Sequence, residues 1–359
     1  MHDVSVPLAA TSQLVPIRVV GGLFGMWLLY STVRRYGRKD ISRLNLIITG
    51  LVTLAIIALS IIPSAFRPLF DALQFKPGNQ RELVAALVFA VFILFALILR
   101  AMSNADSTSA SLRLLIQALT VNAFDVGDAD HLPPGSLVVV MPAYNEAENI
   151  GAVLASMPRA VEGLPVATLV VDDASEDGTS DAARKEGALV ARLPIRRGQG
   201  MALRVGYEVG LKLGATLVAS LDADGQHDPD ELAKVIRPIL DGVADMVVGS
   251  RRLGEFERES HLRHAGMYLL SGVVSILHGE RITDVSSGFR ATSAELMQRL
   301  DLEQDQYSSE ILVEALRHHA RVKEVPITVR ARASGVSKKP SSLKYGFRFT
   351  KVIIQTWLR

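Results

Sequence analysis

The chain has 359 residues, enough for one large domain or two ordinary ones. Its mean hydropathy of +0.26 is high for a wholly soluble protein, while 21% charged residues is too many for a wholly membrane-embedded one. A net charge of +2 argues against a broad cationic face for nucleic acid, and the absence of cysteine excludes disulfides and thiolate-bound zinc.

Three apolar runs occupy the first hundred residues: Leu14–Val33, Leu44–Ile62 and Leu83–Leu99. The first lacks the basic stretch and small-residue cleavage site of a signal peptide, so it reads as a retained helix. Each run is near the length that spans a hydrocarbon core of about 30 Å; buried core helices are the alternative. Arg34, Arg35, Arg38, Lys39 and Arg43 lie between the first two runs. Between the second and third, Arg67, Lys76 and Arg81 are diluted by Asp71 and Glu82. The positive-inside rule then places the N-terminus outside and everything after Arg100 in the cytoplasm. The expectation is an integral protein of the cell membrane with its soluble domain in the cytoplasm.

Residues 103–110 are small and polar and read as a hinge. Ser111–Phe124 carries Leu112, Leu115, Ile116, Leu119 and Val121 at helical spacing. It could be an interfacial helix, a coiled-coil seam or a docking helix. Asp125–Gly135, with Pro133-Pro134, reads as a linker.

From Ser136 short β-branched runs alternate with helical stretches. Strands are expected at Leu137–Met141, Thr168–Val171, Leu189–Arg192, Leu217–Leu221 and Met246–Gly249. Helices are expected at Glu146–Met157, Asp177–Gly187, Met201–Leu213 and Pro229–Leu240. This rhythm predicts an α/β fold with a mostly parallel sheet covered by helices. Ligands bind such sheets beyond the carboxyl ends of the strands.

Three strand ends concentrate polar residues: Pro142-Ala143-Tyr144-Asn145-Glu146, then Asp172-Asp173-Ala174-Ser175-Glu176-Asp177-Gly178-Thr179, then Asp222-Ala223-Asp224-Gly225-Gln226-His227-Asp228-Pro229. For Ser175, Asp177 and Asp228-Pro229, helix capping and turn chemistry explain the pattern as well as function does. Asp222 and Asp224 differ, because two carboxylates one residue apart repel unless a cation or donor lies between them. Such oxygen ligands suit Mg²⁺ or Mn²⁺, completed by substrate phosphates. Neither a Gly-x-Gly-x-x-Gly turn nor a Gly-Lys-Ser/Thr phosphate loop follows any of these strands.

Residues 136–339 resemble family-2 glycosyltransferases of the GT-A fold, in particular the dolichol- and polyprenyl-phosphate mannose or glucose synthases. The matching segments are P-A-Y-N-E at 142–146, V-D-D-A-S-E-D-G-T at 171–179, D-A-D-G-Q-H-D-P at 222–229, V-G-S-R at 248–251, D-V-S-S-G-F-R at 284–290, and V-P-I at 325–327 leading into G-V-S-K at 335–338. Gly198-Gln199-Gly200 departs from the family's Gly-Lys-Gly; Arg196 or Arg197 could supply the missing cation.

The resemblance implies that Pro142, Tyr144, Glu146, Val171 and Asp173 surround the base and ribose of an NDP-sugar, UDP- or GDP-linked. It implies that Asp222, Ala223 and Asp224 meet the diphosphate and the divalent cation (Mg²⁺ or Mn²⁺), with Asp224 and Gln226 as direct ligands and Asp222 nearer the nucleotide. Arg332 and Lys338 fall where the family contacts the donor diphosphate. Arg251 and Arg263 match positions that gather an acceptor phosphate. Asp284 and Arg290 shape the sugar and acceptor pocket, although Arg290 could equally be a structural salt-bridge partner. His227 is at best a supporting residue, and His261, His264, His318 and His319 read as surface positions.

The implied activity is inverting transfer of a hexose or N-acetylhexosamine from the NDP-sugar to a polyprenyl phosphate. A lipid phosphate is already anionic at neutral pH and needs no strong base to attack. Rivals are a family-2 transferase with another lipid or glycan acceptor, or a non-catalytic scaffold with a decayed domain. The Gln-x-x-Arg-Trp motif of processive polymerases is absent from the sequence.

Ser341–Trp357 reads as an amphipathic helix on the membrane, or else one packed on the catalytic domain. Residues 15–120 faintly resemble small bacterial membrane proteins that occur with such transferases, the residues being few, among them Ile62-Pro63; that implies an anchor or oligomerisation module. The expected organisation is a transmembrane module at 1–102, a juxtamembrane helix and linker at 103–135, a GT-A domain at 136–339 and an amphipathic segment at 340–359.

Overall fold

The computed structural model describes residues 15–37, 43–61, 81–125, 133, 135–255, 261–302, 309–330, 350, 352–354 and 356–357. The chain divides into two compact units, with the division between Ser109 and Ala110.

In the first unit, α1 (Val15–Gly37) packs on α2 (Arg43–Ile61). Among the described residues the buried positions are small or hydroxylic, Gly25, Thr32, Thr49 and Thr53, with Leu28. Thr32 and Thr53 donate their hydroxyls to the carbonyls of Leu28 and Thr49, at 2.7 and 2.6 Å, so neither leaves a polar atom unmet. Large apolar side chains face outward, among them Leu23, Trp27, Tyr30, Leu51, Leu54 and Ile61. Among the described residues, no helix is long and apolar enough to cross a membrane.

The third apolar run belongs to one 43-residue helix, α3 (Arg81–Ala123). The expected hinge at 103–110 is therefore helical. The stretch holds no glycine or proline, and its small polar residues cost a helix only tenths of a kcal/mol each, roughly. The end of α3 is a docking helix: Ile116, Val121 and Phe124 are buried in the core of the second unit, and Gln117 donates to Glu208 at 2.5 Å.

The second unit is built on an eight-stranded sheet. Its strands are β1 (Leu137–Ala143), β2 (Ala160–Val161), β3 (Leu164–Asp172), β4 (Leu189–Arg192), β5 (Leu217–Ser220), β6 (Met246–Ser250), β7 (Arg290–Ser293) and β8 (Val322–Pro326). They run β2-β3-β1-β5-β7-β6-β8, with β4 also paired to β3. β4, β3, β1 and β5 are mutually parallel. β7 is antiparallel to both β5 and β6 and β2 is antiparallel to β3, so the expected mostly parallel sheet is a mixed one.

Helices cover both faces. α4 (Ala147–Ala155), α5 (Thr179–Lys185) and α7 (Leu232–Leu240) supply one core through Ile150, Ala183 and Val235, together with Val139 and Met141 of β1. α6 (Gln199–Lys212), α8 (His261–His278) and α10 (Ser309–Arg317) supply the other, with Val138 and Val140; α9 (Ala294–Arg299) follows β7. The alternation of Val138 and Val140 with Val139 and Met141 is the period-2 pattern of a strand buried on both faces. α6 lies so close to β1 that a β-carbon on Gly206 would overlap Val140. In the C-terminal segment the described Val352 and Ile353 are buried in this same core. That part packs into the second unit; the rest of the segment falls largely outside the described residues.

Candidate functional site

β1, β3, β5 and β6 end on the same edge of the sheet, and the polar segments gather there. At the ends of β1 and β3, Pro142 stands opposite Val171. Asp173 donates its N–H to Ala143 O at 2.8 Å. The Asp173 carboxylate accepts the backbone N–H groups of Arg197 and Gly198, at 2.6 and 2.7 Å. Burial pushes the Asp173 carboxyl above its ordinary value, and those two amides work against the rise. The same loop lays the Arg196 guanidinium 3.8 Å over the Tyr144 ring, a cation–π contact in the place expected for a nucleobase.

Several neighbours are structural. The buried Asp172 accepts from Ser175 N at 2.8 Å, from Arg192 at 2.7 Å and from the Ser180 hydroxyl. Ser175 accepts from Asn145 N, Asp177 from Ala147 N and Thr179 from Glu146 N, which clamps the β1–α4 loop to the β3–α5 loop. Glu146, buried, accepts from Asn149 at 2.7 Å. Asp228 caps the short turn before α7, accepting from Asp230 N. Capping and loop chemistry thus accounts for Ser175, Asp177 and much of Asp228.

Beyond β5, Asp222 Oδ1 accepts from Gln199 Nε2 at 2.9 Å, so Gln199 occupies the family's lysine position as a neutral donor to Asp222. His227 Nε2 lies 3.8 Å from Asp222 Oδ2. His227 is buried with its ring 5.4 Å from Phe289, so it is a residue of the site's floor. Asp224 and Ala223 are also buried; Asp224 Oδ1 accepts from Gln226 N at 3.2 Å. Arg330 N donates to Gln226 O at 2.9 Å, and Gln226 Nε2 donates to Arg330 O at 3.2 Å. His227 bridges Val329. Val329 and Arg330 are therefore paired alongside Gln226 and His227; Arg332 and Lys338 lie outside the described residues.

Among the described residues no three His, Asp or Glu side chains are grouped to hold a metal ion by themselves. The side-chain oxygens of Asp222, Asp224 and Gln226, beyond the end of β5, are of the kind that suits a hard cation whose coordination a diphosphate would complete.

Beyond β6, Arg251 forms a two-pronged pair with Asp284: Nε to Oδ2 at 2.7 Å and Nη2 to Oδ1 at 2.7 Å. Nη2 also donates to Ser286 Oγ at 2.5 Å. Asp284 is fully buried. Burial alone would push its carboxyl up, but the hydrogen bonds and charge of Arg251 outweigh burial and hold it below the ordinary value. Arg263 is placed in the first turn of α8; its side chain lies outside the described residues. Arg290 is buried beneath the site at 1% exposure and donates to Ser287 O.

A single turn joins the two halves. Asp284 begins it against Arg251, and Gly288 ends it against Asp222, where a β-carbon would stand 2.7 Å from Oδ1. Ser220 donates to Gly288 O at 2.7 Å. The buried Tyr207 below, raised by burial, bonds to Ser220 and feels Arg290 and Asp222. Sequence reasoning missed Arg192, Tyr207 and Arg330. Only Arg330 had a signal, its place two residues before Arg332.

Residues 138–299 match the model of the Glycosyl transferase family 2 family. An undecaprenyl-phosphate mannosyltransferase of Micrococcus luteus is 32% identical over 214 residues, 56% of this chain and 86% of that protein. A polyprenol monophosphomannose synthase of Mycolicibacterium smegmatis is 32% identical over 224 residues, 58% of this chain and 83% of that protein. Among solved structures, glucosyl-3-phosphoglycerate synthase of Mycobacterium tuberculosis, in complex with Mn²⁺, UDP-glucose and phosphoglyceric acid, superposes with a TM-score of 0.51 at 20% identity, covering 66% of this chain and 84% of that one.

Proposed function

Since the chain belongs to glycosyl transferase family 2 and is a glycosyltransferase of GT-A-like α/β fold, we propose that it transfers a hexose or N-acetylhexosamine from an NDP-sugar to a polyprenyl phosphate at a membrane surface, with inversion. The turn Asp284–Gly288 carries this reading, because it touches Arg251 at one end and Asp222 at the other. In the strand order β5-β7-β6 a single strand separates the two carboxyl ends, a lateral offset of roughly 10 Å. On this reading the half that would hold the cation and the half that carries Arg251 stand about one sugar apart.

On the donor side, Pro142, Tyr144, Val171 and Asp173 frame the nucleoside, and Asp222, Asp224 and Gln226 would hold Mg²⁺ or Mn²⁺. Bound there with the diphosphate, the cation supplies Lewis-acid stabilisation of the departing group. On the acceptor side, Arg251, fixed in orientation by Asp284, meets the lipid phosphate. An oxygen of that phosphate forms the new bond to the anomeric carbon while the bond to the nucleoside diphosphate breaks and its electron pair leaves with the diphosphate. No proton has to be removed, so positioning and preorganised charge are what the protein must provide. A single displacement inverts the anomeric carbon.

The relatives named for undecaprenyl phosphate and polyprenol support a lipid acceptor. So does the α1–α2 hairpin, where small and hydroxylic residues face inward and large apolar ones outward. That inversion of the water-soluble pattern suits packing in lipid. The test is a panel of radiolabelled NDP-sugars incubated with membranes containing the protein and undecaprenyl phosphate. Label in the organic phase with one donor is the expected result; no organic label with any donor refutes the reading.

A further inference from the structure

We propose that Glu324, which none of the motifs above includes, is a positioning residue for Arg251 and thereby sets affinity for the acceptor phosphate. The inference rests on reading Arg251 as the acceptor-phosphate arginine. Glu324 lies on β8, paired in parallel with β6, and stands opposite Val248, three residues before Arg251. Its two oxygens accept successive backbone N–H groups: Asp284 N to Oε1 at 2.8 Å and Thr283 N to Oε2 at 2.8 Å. The carboxylate therefore grips the peptide from which the Asp284 side chain projects.

That side chain in turn receives both prongs of Arg251, and Arg251 N donates to Asp284 Oδ2 at 3.2 Å. A second tie runs alongside, between the hydroxyls of Ser250 and Thr283 at 2.6 Å. Arg252 reaches Thr283 O at 3.4 Å from the other side. The turn is thus held by β8 through Glu324 and by the end of β6 through Ser250, and it passes its orientation to Arg251 through one buried carboxylate. A carboxylate suits this place because both of its oxygens accept and the two amides point the same way. A glutamine would meet one amide with its oxygen and oppose the other with its own N–H.

The experiment is a double-mutant cycle on the full chain with Glu324→Gln and Arg251→Ala, reading KM for polyprenyl phosphate, KM for the NDP-sugar, and kcat. Glu324→Gln is expected to raise the acceptor KM about tenfold, in line with a lost charge-assisted hydrogen bond, with the donor KM unchanged. Because Glu324 acts through Arg251, the double variant is expected to be no worse than Arg251→Ala alone. The proposal is overturned if Glu324→Gln leaves the acceptor KM unchanged, or if the two effects multiply in the double variant. If Arg251→Ala itself leaves the acceptor KM unchanged, the assignment of the acceptor arginine fails first and the proposal with it. Unaltered nucleotide binding by Glu324→Gln shows that it is folded; if it misfolds, the same cycle is run with Glu324→Ala.

Discussion

Gly288 lies directly against the carboxylate of Asp222: a β-carbon at position 288 would stand 2.7 Å from Oδ1 and 2.9 Å from both Cγ and Oδ2. The contact fixes where the first carboxylate of the Asp-Ala-Asp segment can be, while Gln199 holds the same Oδ1 from the other direction. Gly288→Ala is expected to push Asp222 off its position and lower kcat/KM by at least about tenfold, a misplacement cost typical of preorganised sites. A divalent-cation titration of activity, shifted to higher half-saturation, is the accompanying sign.

Asp224→Ala and EDTA treatment are expected to have the same effect on donor binding, because on the proposed reading both would remove a cation held between the Asp224 carboxylate and the diphosphate. Calorimetry with the nucleoside diphosphate, with and without Mn²⁺, should show affinity that rises with metal in the wild type and not in the variant. Equal metal enhancement in both proteins would exclude Asp224 as a ligand.

The Arg251–Asp284 pair makes a pH-dependent contribution to stability. The folded carboxyl titrates below its ordinary value of 3.8, so the folded state binds the proton less well than the unfolded chain does. The contribution is present in full above pH about 4 and is lost as pH falls through the folded value. Asp284→Asn removes it, and breaking a buried pair costs about 3–5 kcal/mol. Denaturant unfolding should show a gap between wild type and variant that is constant near neutrality and narrows below pH about 4.

Asp173→Asn is expected to weaken nucleotide binding about tenfold, since an amide cannot accept both Arg197 N–H and Gly198 N–H. The loop that carries Arg196 over Tyr144 would lose its latch. The nucleotide Kd measures the effect directly.

Gly206→Ala should destabilise the fold by about 1–3 kcal/mol, as overpacking between a helix and a strand does. Here the added methyl meets Val140, a residue buried on both sides. A lower Tm with little change in KM is the expected signature, which separates this packing contact from the Gly288 contact at the site.

The polar strand ends were legible in the sequence because an apolar β-branched run followed at once by Asp, Ser, Gly and Pro has few other meanings. The antiparallel β7 was not: Arg290–Ser293 is four residues long, begins with a buried arginine and ends in a helix cap. Nothing in that pattern has a strand's period. Arg290 reads from the sequence as a pocket residue or a salt-bridge partner, and only the tertiary structure shows its full burial beside the Asp284–Gly288 turn. The hinge expected at 103–110 was inferred from polarity alone, whereas helices are broken by glycine and proline, and neither occurs there. Glu324 leaves no mark on side-chain spacing, because its partners are backbone amides about 40 residues earlier.

The absence of any need for a base is the most direct point of test. Purified protein should be given the productive NDP-sugar with either undecaprenyl phosphate or the uncharged alcohol undecaprenol, and transfer to each measured by extraction. Transfer to the phosphate with none to the alcohol is the predicted result. Comparable transfer to undecaprenol would contradict it, since that acceptor must lose a proton and both oxygens of Asp284 are already engaged by Arg251.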